Sequence, residues 1–264
     1  MILLRRLVVT GVAAVLVVTL GMTVPVATGQ TTETGRGAGD SRRALSGRTI
    51  VIDPGHQLGN HNFPRQINRK VPAGGFKKPC NTTGTATRAG HPEATFVWRV
   101  ARLLQKRLEN RGARVILTRH SNRQDRWGPC VDERGRRGNN AGADLKLSIH
   151  ADGSYTRGAR GFHVIAPTDR KRWTHDIYKP SRRLARETKA ALRQVGVPVA
   201  NYTAGGDGID LRSDLGTLNL ADIPSVMVEL GNMRNRRDAR RMTTLKGRTT
   251  YARALDRAIR HYLD

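Results

Sequence analysis

Aromatic residues and acidic residues are both scarce in this chain. Phe, Trp and Tyr make up 5% of its 264 residues, so a core has to be built mainly from Val, Leu, Ile and Ala. There are 21 Asp and Glu against 47 Lys and Arg, which gives a formal net charge of +26. Such a charge indicates polyanionic partners and says little about the fold. Nucleic acid is not expected among them, because stacking on bases needs aromatic side chains interleaved with basic ones.

Cysteine is also rare, with only Cys80 and Cys130 in the chain. In an oxidising compartment an even pair predicts one disulfide. Two free thiols and half of a metal site are the alternatives. Because the pair lacks the C-x-x-C spacing of zinc sites, we predict the bridge between Cys80 and Cys130.

The chain begins with features of a targeting segment. A short basic start, "MILLRR", precedes the apolar run "LVVTGVAAVLVVTLGMTVPVA", and Ala27 and Gly29 are spaced like a cleavage site. We predict a secretory signal peptide at residues 1–29. A retained membrane anchor is the alternative, because the run would nearly span a bilayer. Either one places the mature protein outside the cytoplasm, secreted, periplasmic or associated with the cell wall.

A polar segment rich in Gly, Ser and Thr follows at residues 30–46 and predicts a disordered linker. The remaining residues, 47–264, predict one domain. Apolar strands there alternate with amphipathic helices, which favours an α/β fold with helices on both faces of a central sheet. The predicted strands are 48–53, 113–119, 144–151, 160–167, 208–214 and 223–230, and the predicted helices are 91–112, 131–143, 181–196 and 248–263.

Two connections refine this prediction. The step from strand 144–151 to strand 160–167 is too short for a crossover helix. We therefore expect a three-layer sandwich whose sheet of about six strands is mainly parallel or mixed.

Residues 57–90 have no periodicity and many Gly, Pro, Asn and Lys, which predicts a long loop or an irregular hairpin.

Four polar residues are placed where such a sheet binds ligands, outside the carboxyl ends of its strands. His56 follows "IVIDPG", His150 ends "LKLSIH", Glu229 ends "SVMVE", and Glu93 opens the first helix. Two histidines and a carboxylate are a known ligand set for catalytic zinc, with a fourth position for water. Zinc lowers the pKa of that water to near 7, and a second carboxylate can then shuttle protons.

Each of these residues also has a plainer interpretation when taken singly. His56 fits a turn residue bonded to the backbone, and Glu93 fits a carboxylate that favours a helix N-terminus. Glu229 is harder to explain otherwise, because burial of an unpaired charge is costly. Spacing alone does not separate the ligands from the base. The histidines that remain as alternative ligands are His61, His91 and His163.

Longer stretches around these residues carry a family resemblance. They are "IVIDPGHQ", "PEATFVWRVARLLQKRLENRGARVILTR", "ERGRRGNNAGADLKLSIHADGS" and "LRSDLGTLNLADIPSVMVELGNMRN". In this order, they resemble four motifs of the zinc-dependent N-acetylmuramoyl-L-alanine amidases (Amidase_3 family). The first is similar to the family's opening motif, and the second to its glutamate-bearing helix followed by V-x-L-T-R. The third is similar to R-x-x-x-A-N…S-I-H-A-N, and the fourth to L-x-V-L…P-x-V-L-V-E-x-G-F-x-S-N. The resemblance covers residues 47–263.

The resemblance implies a reaction and a role for each residue. One zinc ion per chain would be bound by His56, Glu93 and His150, and Glu229 would be the general acid and base. The reaction would hydrolyse the amide between N-acetylmuramic acid and L-alanine of the stem peptide, in peptidoglycan or its muropeptide fragments, during cell-wall turnover or remodelling. The residues expected to contact substrate are Arg134, Arg212 and Asn232.

Departures from the family pattern carry expectations of their own. The loop from Gln57 to Gly90 is longer and more basic than the usual link, and we expect it to shape the groove, tethered by the Cys80–Cys130 bridge. Asn232 stands where an aromatic residue is usual. The stretch 167–180 is too short for the inserted helix that blocks the site in some members, so no such autoinhibition is expected.

The resemblance suggests a role for the basic charge. Wall polymers are anionic and the sequence shows no separate binding module, so basic side chains on the domain itself would attract it to the cell wall. A solvated basic surface without a binding role is the alternative.

The other functions compatible with the sequence are a non-catalytic wall-binding module and a nucleic-acid binder supported by charge alone. We expect a monomeric enzyme.

Overall fold

The structure is a computed structural model that describes residue 14 and residues 44–264. The predicted signal peptide at 1–29 and the predicted linker up to residue 43 lie outside the described residues, residue 14 excepted. Leu45, near the end of the predicted linker, is buried in the main core. In the described part of the chain, no helix combines the length and apolar character needed to cross a bilayer.

Six of the strands form one mixed sheet. In chain order the strands are β1 (Thr49–Pro54), β2 (Lys70–Pro72), β3 (Lys77–Pro79), β4 (Arg114–Leu117), β5 (Leu145–Asp152), β6 (His163–Pro167), β7 (Ile209–Arg212) and β8 (Ser225–Asn232). The sheet has the order β4-β1-β5-β8-β6-β7, and β2 and β3 form a separate antiparallel hairpin. Strands β4, β1, β5 and β8 are parallel, whereas β6 runs antiparallel to β8. The predicted mixed sheet of six strands is confirmed.

Helices cover both faces of this sheet. They are α1 (Pro64–Asn68), α2 (Glu93–Glu109), α3 (Val131–Arg136), α4 (His175–Gln194), α5 (Gly216–Asn219), α6 (Arg236–Thr243) and α7 (Leu245–Leu263). Helices α2 and α4 both pack against α7, and their apolar side chains form the main core with Ile50 and Ile52 of β1. Val51 points to the opposite face and packs on Ala143 and Ile223. The alternation along β1 therefore builds a core on each side of the sheet.

Two predicted helices have different bounds in the structure. The helix predicted at 181–196 begins at His175 and contains Pro180. Proline lacks an N–H and predicts a helix boundary, but the burial of Ile177 shows that tertiary packing stabilises the turn before it. The helix predicted at 131–143 ends at Arg136, and Gly138 follows with a φ of 98°, the left-handed conformation that glycine favours after a helix.

Three helices were not predicted from the sequence: the short helices α1 and α5, and the longer α6. Helix α6 has a polar, arginine-rich sequence without a clear apolar stripe. It begins at an effective cap, because the Asn235 side chain accepts hydrogen bonds from the backbone N–H groups of Arg237 and Asp238. Helix α6 directly follows β8, so it contributes to the surface beside the carboxyl end of that strand.

The region predicted as a long loop or irregular hairpin contains short elements. Helix α1 and the β2–β3 hairpin both lie between residues 57 and 90, which confirms the irregular hairpin. Cys80 follows β3 and forms a disulfide with Cys130, as predicted. The bridge ties this region to the segment that precedes α3.

Candidate active site

The turn after β1 presents the His56 ring to the carboxyl edge of the sheet. His56 has a φ of 56° and is the only non-glycine residue with a positive φ in the described ranges. Such a conformation costs about 1–3 kcal/mol and is retained where the surroundings determine it. Its Nδ1 lies 3.0 Å from the carbonyl oxygen of Thr82. A proton on Nδ1, donated to that carbonyl, leaves Nε2 as the nitrogen that can bind a metal.

Glu93 joins the two histidines at one oxygen atom. Its Oε1 lies 3.1 Å from Nε2 of His56 and 3.1 Å from Nδ1 of His150. Backbone N–H groups of Ala151 and Thr85 donate to its two carboxylate oxygens, both at 3.0 Å. Burial raises the pKa of Glu93, but the charge and hydrogen bonds of the histidines outweigh this effect and hold the pKa well below its usual range. The carboxylate is therefore ionised.

Small residues allow the three side chains to come this close. The ring centroids of His56 and His150 are 4.8 Å apart. A Cβ atom at Gly55 would lie 2.2 Å from the His150 ring, so only glycine fits there. At Gly84, which has a φ of 76°, a Cβ atom would lie 2.9 Å from Oε2 of Glu93. The backbone thus leaves room for the convergence of His56, Glu93 and His150.

These three residues fit a zinc ion. Their donor atoms all lie within 4.8 Å of one another, and two imidazole nitrogens with one carboxylate oxygen are a zinc ligand set. The contact between His56 Nδ1 and the Thr82 carbonyl is the kind of second hydrogen bond that orients metal-binding histidines. Among the described side chains, the alternative ligands His61, His91 and His163 lie outside this group.

Glu229 lies beside the metal-binding group. It pairs with His150 in the parallel register of β5 and β8, and it lines the same cavity, whose volume is about 410 Å³. Its Oε2 is buried and accepts no hydrogen bond from any described residue. Burial, followed by the negative charges of Glu93 and Asp152, raises the pKa of Glu229 well above its usual range, and Arg212 opposes this rise. The carboxyl group is suited to take up and release a proton.

Arg134, which was expected to contact substrate, supports the His56 turn in the structure. Its side chain is 3% exposed and pairs with the buried carboxylate of Asp53. Its Nη1 donates to the carbonyl of Pro54 at 2.9 Å, and its Nη2 donates to the carbonyl of His56 at 2.7 Å. The Nε group donates to Pro129 at 2.9 Å. The guanidinium is therefore engaged within the protein. Arg134 also lines the active-site cavity, so its contact with substrate stays a prediction.

A second buried arginine, to which the sequence analysis gave no role, holds the same turn. Arg119 donates to the carbonyls of Pro54 and Gly55 at 3.0 and 3.2 Å. It also donates to the carbonyl of Ala94 in α2 at 2.8 Å. Burial and the charge of Arg134 lower the pKa of Arg119 to about 9. The one sequence feature that could have pointed to Arg119 is its position at the end of the V-x-L-T-R motif. The sequence alone does not show to which carbonyl groups its side chain donates.

Arg212 and Asn232, the other expected substrate contacts, also have partners within the protein. Arg212 makes two hydrogen bonds of 2.8 Å to Asp214 and remains partly exposed. Asn232 is buried, and its side-chain amide donates to the carbonyls of Ser154 and Ala159 at 2.9 and 3.0 Å. Asn232 thus fixes the loop after β5 to the end of β8.

The predicted tethered loop lies at the cavity. Residues 81–85 line it together with the candidate metal ligands. The Thr82 carbonyl that meets His56 also accepts a hydrogen bond of 2.6 Å from the Asn60 side chain. Asn81 donates at 2.8 Å to the carbonyl of Pro129, the residue before Cys130. The disulfide and these hydrogen bonds fix the carbonyl that orients His56.

Comparisons with known proteins identify the family and the fold of this chain. The Amidase_3 family, described as N-acetylmuramoyl-L-alanine amidase, matches residues 50–261. The N-acetylmuramoyl-L-alanine amidase Rv3717 of Mycobacterium tuberculosis is 41% identical over 223 residues, which are 83% of this chain and 88% of that protein. The apo crystal structure of the amidase Ami1 from Mycobacterium abscessus is 40% identical, with a TM-score of 0.76, over 83% of this chain and 100% of that chain. Ami1 from Mycobacterium smegmatis is 37% identical, with a TM-score of 0.76, over 83% of this chain and 98% of that chain.

Proposed function

Because this chain belongs to the Amidase_3 family of N-acetylmuramoyl-L-alanine amidases, we propose that it acts as a zinc-dependent enzyme through His56, Glu93, His150 and Glu229. The protein is a peptidoglycan hydrolase that cleaves the amide between N-acetylmuramic acid and L-alanine of the stem peptide. The dependence on zinc and the role of each residue are the proposed part.

The observation that carries the proposal is the convergence on one cavity of four side chains, from the turn after β1 and from α2, β5 and β8. His56, Glu93 and His150 hold the metal there. Bound zinc supplies polarisation of the substrate carbonyl and a water molecule of lowered pKa. Arg119 and Arg134 hold the turn that carries His56.

Glu229 moves the proton in this reaction. Its carboxylate takes a proton from the attacking water and delivers it to the nitrogen of the departing L-alanine, so that the amine leaves as a neutral group. Because Oε2 has no hydrogen-bond partner among the described residues, that oxygen is free for this task. The raised pKa of Glu229 favours uptake of the proton.

The location of the enzyme follows from its substrate. Peptidoglycan lies outside the cytoplasmic membrane, and we infer that the apolar start of the chain, "LVVTGVAAVLVVTLGMTVPVA", directs export as a signal peptide. Of the basic residues behind the full chain's net charge of +26, only Arg5 and Arg6 lie in the predicted signal peptide, so the remaining positive charge supports attraction of the mature domain to anionic wall polymers.

Replacement of the proposed base tests the residue assignment. Glu229→Gln should lower kcat by about 10²–10⁴-fold, because this is the typical contribution of general acid–base catalysis. Its zinc content should equal that of the wild type, since Glu229 is not a ligand. Exposed Glu133 in α3 provides the matched control, and Glu133→Gln should leave kcat unchanged. A Glu229→Gln variant with wild-type turnover of peptidoglycan fragments would show that the base is another group.

A further inference from the structure

A larger cavity lies beside the active site and is lined by basic side chains. Its volume is about 920 Å³. We call it the arginine groove after five of its lining residues, Arg88, Arg157, Arg234, Arg236 and Arg240. Its lining includes no Asp or Glu, and within residues 44–264 none of the five guanidinium groups forms an ion pair with a carboxylate. The groove therefore concentrates positive charge without internal neutralisation.

Arg234 and Tyr155 form a platform in the arginine groove. The guanidinium of Arg234 lies over the Tyr155 ring, 4.7 Å from its centroid. Tyr155 is 82% exposed. The Nε of Arg234 is buried and has no hydrogen-bond partner among the described residues. Stacking uses the face of a guanidinium and leaves its edge to donate hydrogen bonds, and that edge matches the planar, two-oxygen geometry of a carboxylate.

Three segments of the chain contribute residues both to the active-site cavity and to the arginine groove. Each segment lines the active-site cavity at one residue and the groove one to three residues later. Extended chain covers about 3.3–3.6 Å per residue, so the groove begins within about 10 Å of the active-site lining. This distance corresponds to two or three residues of an extended peptide. The pairs, with the active-site residue first, are Gly153 and Ser154, Thr85 and Thr87, and Glu229 and Asn232.

We propose that the arginine groove binds free carboxylates of the peptide stem, two to three residues beyond the amide that is cleaved. The inference rests on the proposed function, because the active site determines where the stem begins. A stem peptide carries carboxylates on its acidic residue and at its C-terminus, and arginine pairs with such groups through two parallel hydrogen bonds. Phosphodiesters of wall polymers are the other anions that arginine binds in this way.

Binding of a released stem peptide tests the groove without any turnover. We would titrate the zinc-loaded protein calorimetrically with a synthetic stem peptide and with the same peptide after amidation of its carboxylates. The double variant Arg234→Gln/Arg240→Gln and the single variant Arg240→Gln remove charge from the groove, and Arg240 is exposed, so its replacement leaves the core unchanged. Arg253→Gln, on the exposed side of α7, is the matched control.

Amidation should weaken binding to the wild type by roughly tenfold, a typical loss for one charge-assisted hydrogen-bonded pair. The double variant should show the same weak affinity for both peptides, and Arg240→Gln should lie between it and the wild type. Arg253→Gln should bind as the wild type does. Equal affinity of the wild type for both peptides would overturn the proposal.

Two further outcomes separate the possible causes of failure. A glycerol-phosphate oligomer that binds the wild type more tightly than the free stem peptide, and loses affinity in the double variant, would assign the arginine groove to phosphodiester polymers instead. If the protein bound the peptide through its carboxylates but had no amidase activity, the proposal for the arginine groove would stand and the proposed function would be overturned. Amidase activity without carboxylate-dependent binding would overturn the groove alone.

Discussion

Among the individual residues, Glu93 and Glu229 differ most in their surroundings. Both carboxyl groups are in the same cavity, yet their pKa values move in opposite directions. His56 and His150 stabilise the ionised form of Glu93, whereas Glu229 faces burial and the negative charges of Glu93 and Asp152. Two carboxyl groups with separated pKa values can take different roles, which in the proposed mechanism are metal ligand for Glu93 and proton carrier for Glu229.

Lys146 is a buried residue whose effect on stability can be tested by pH. It lies on β5, and its Nζ donates to the backbone carbonyls of Arg134 and Gly135 at the end of α3. Burial lowers the pKa of Lys146 to about 7, although Asp53 and Asp222 oppose the shift. The unfolded chain keeps a lysine pKa of about 10.4. Between these values the unfolded state binds more protons than the folded state, so the free energy of unfolding should rise with pH.

Lys146→Met should remove this pH dependence. From about pH 7.5 to about pH 9.5, the wild type should gain up to about 1 kcal/mol of stability per pH unit relative to the variant. Urea unfolding at both pH values measures the difference, and other titrating groups cancel in the comparison. If wild type and variant showed parallel stability profiles, Lys146 would be charged and compensated in the folded protein.

At the scale of secondary-structure elements, the disulfide and the loop it holds connect stability with metal binding. Cys80 lies two residues before Thr82, whose carbonyl accepts a hydrogen bond from the Nδ1 side of His56. Partners of this kind fix the ring orientation of a metal ligand, and their loss commonly reduces metal affinity by about 10–100-fold. In the proposed function, the loop after β3 therefore supports the candidate metal site from outside the ligand set.

The double variant Cys80→Ser/Cys130→Ser should bind zinc more weakly and unfold more easily. The loss of stability should be about 2–4 kcal/mol, the usual effect of removing a disulfide. Competition with a zinc chelator measures affinity, and thermal unfolding measures stability. At saturating zinc the variant should recover most of its amidase activity. Unchanged zinc affinity in a destabilised variant would limit the bridge to a structural role.

The elements differ in how well the sequence predicted them. Strands β1 and β8 have apolar runs that end in a polar residue, and β5 alternates apolar and polar residues up to His150, so both their positions and the candidate residues at their ends could be predicted. Helix α6 lacks an apolar stripe, and its start depends on the Asn235 cap. The partners of Arg134 come from residues distant in sequence, so the support it gives to the His56 turn required the tertiary structure.

At the scale of the whole molecule, a domain of the Amidase_3 family is combined with a strongly basic sequence. The full chain has a net charge of +26, and nearly all of its basic residues lie after the predicted signal peptide. This charge should draw the domain to anionic wall polymers through interactions that salt screens over about 10 Å at 0.1 M. The residues beside the active site follow the same pattern, with five arginines in one groove. The sequence predicted the excess charge, but only the fold shows where part of it collects.

Salt should therefore affect polymer and small substrates differently. Sedimentation with purified cell walls should decrease steeply as salt rises, because many weak charge contacts contribute. The KM for a short soluble muropeptide should change much less, since few charges take part. Parallel assays of cell-wall binding and muropeptide hydrolysis over a salt series measure both. Wall binding that is insensitive to salt would contradict an electrostatic origin of the attraction.

The central claim is that hydrolysis depends on one zinc ion held by His56, Glu93 and His150. The most direct measurement is titration of metal-free protein with Zn²⁺ while the release of stem peptides from peptidoglycan fragments is followed by mass spectrometry. The account predicts no release without metal and full activity at one equivalent of zinc, with no recovery in His150→Ala. Release at the full rate by the metal-free protein would contradict it.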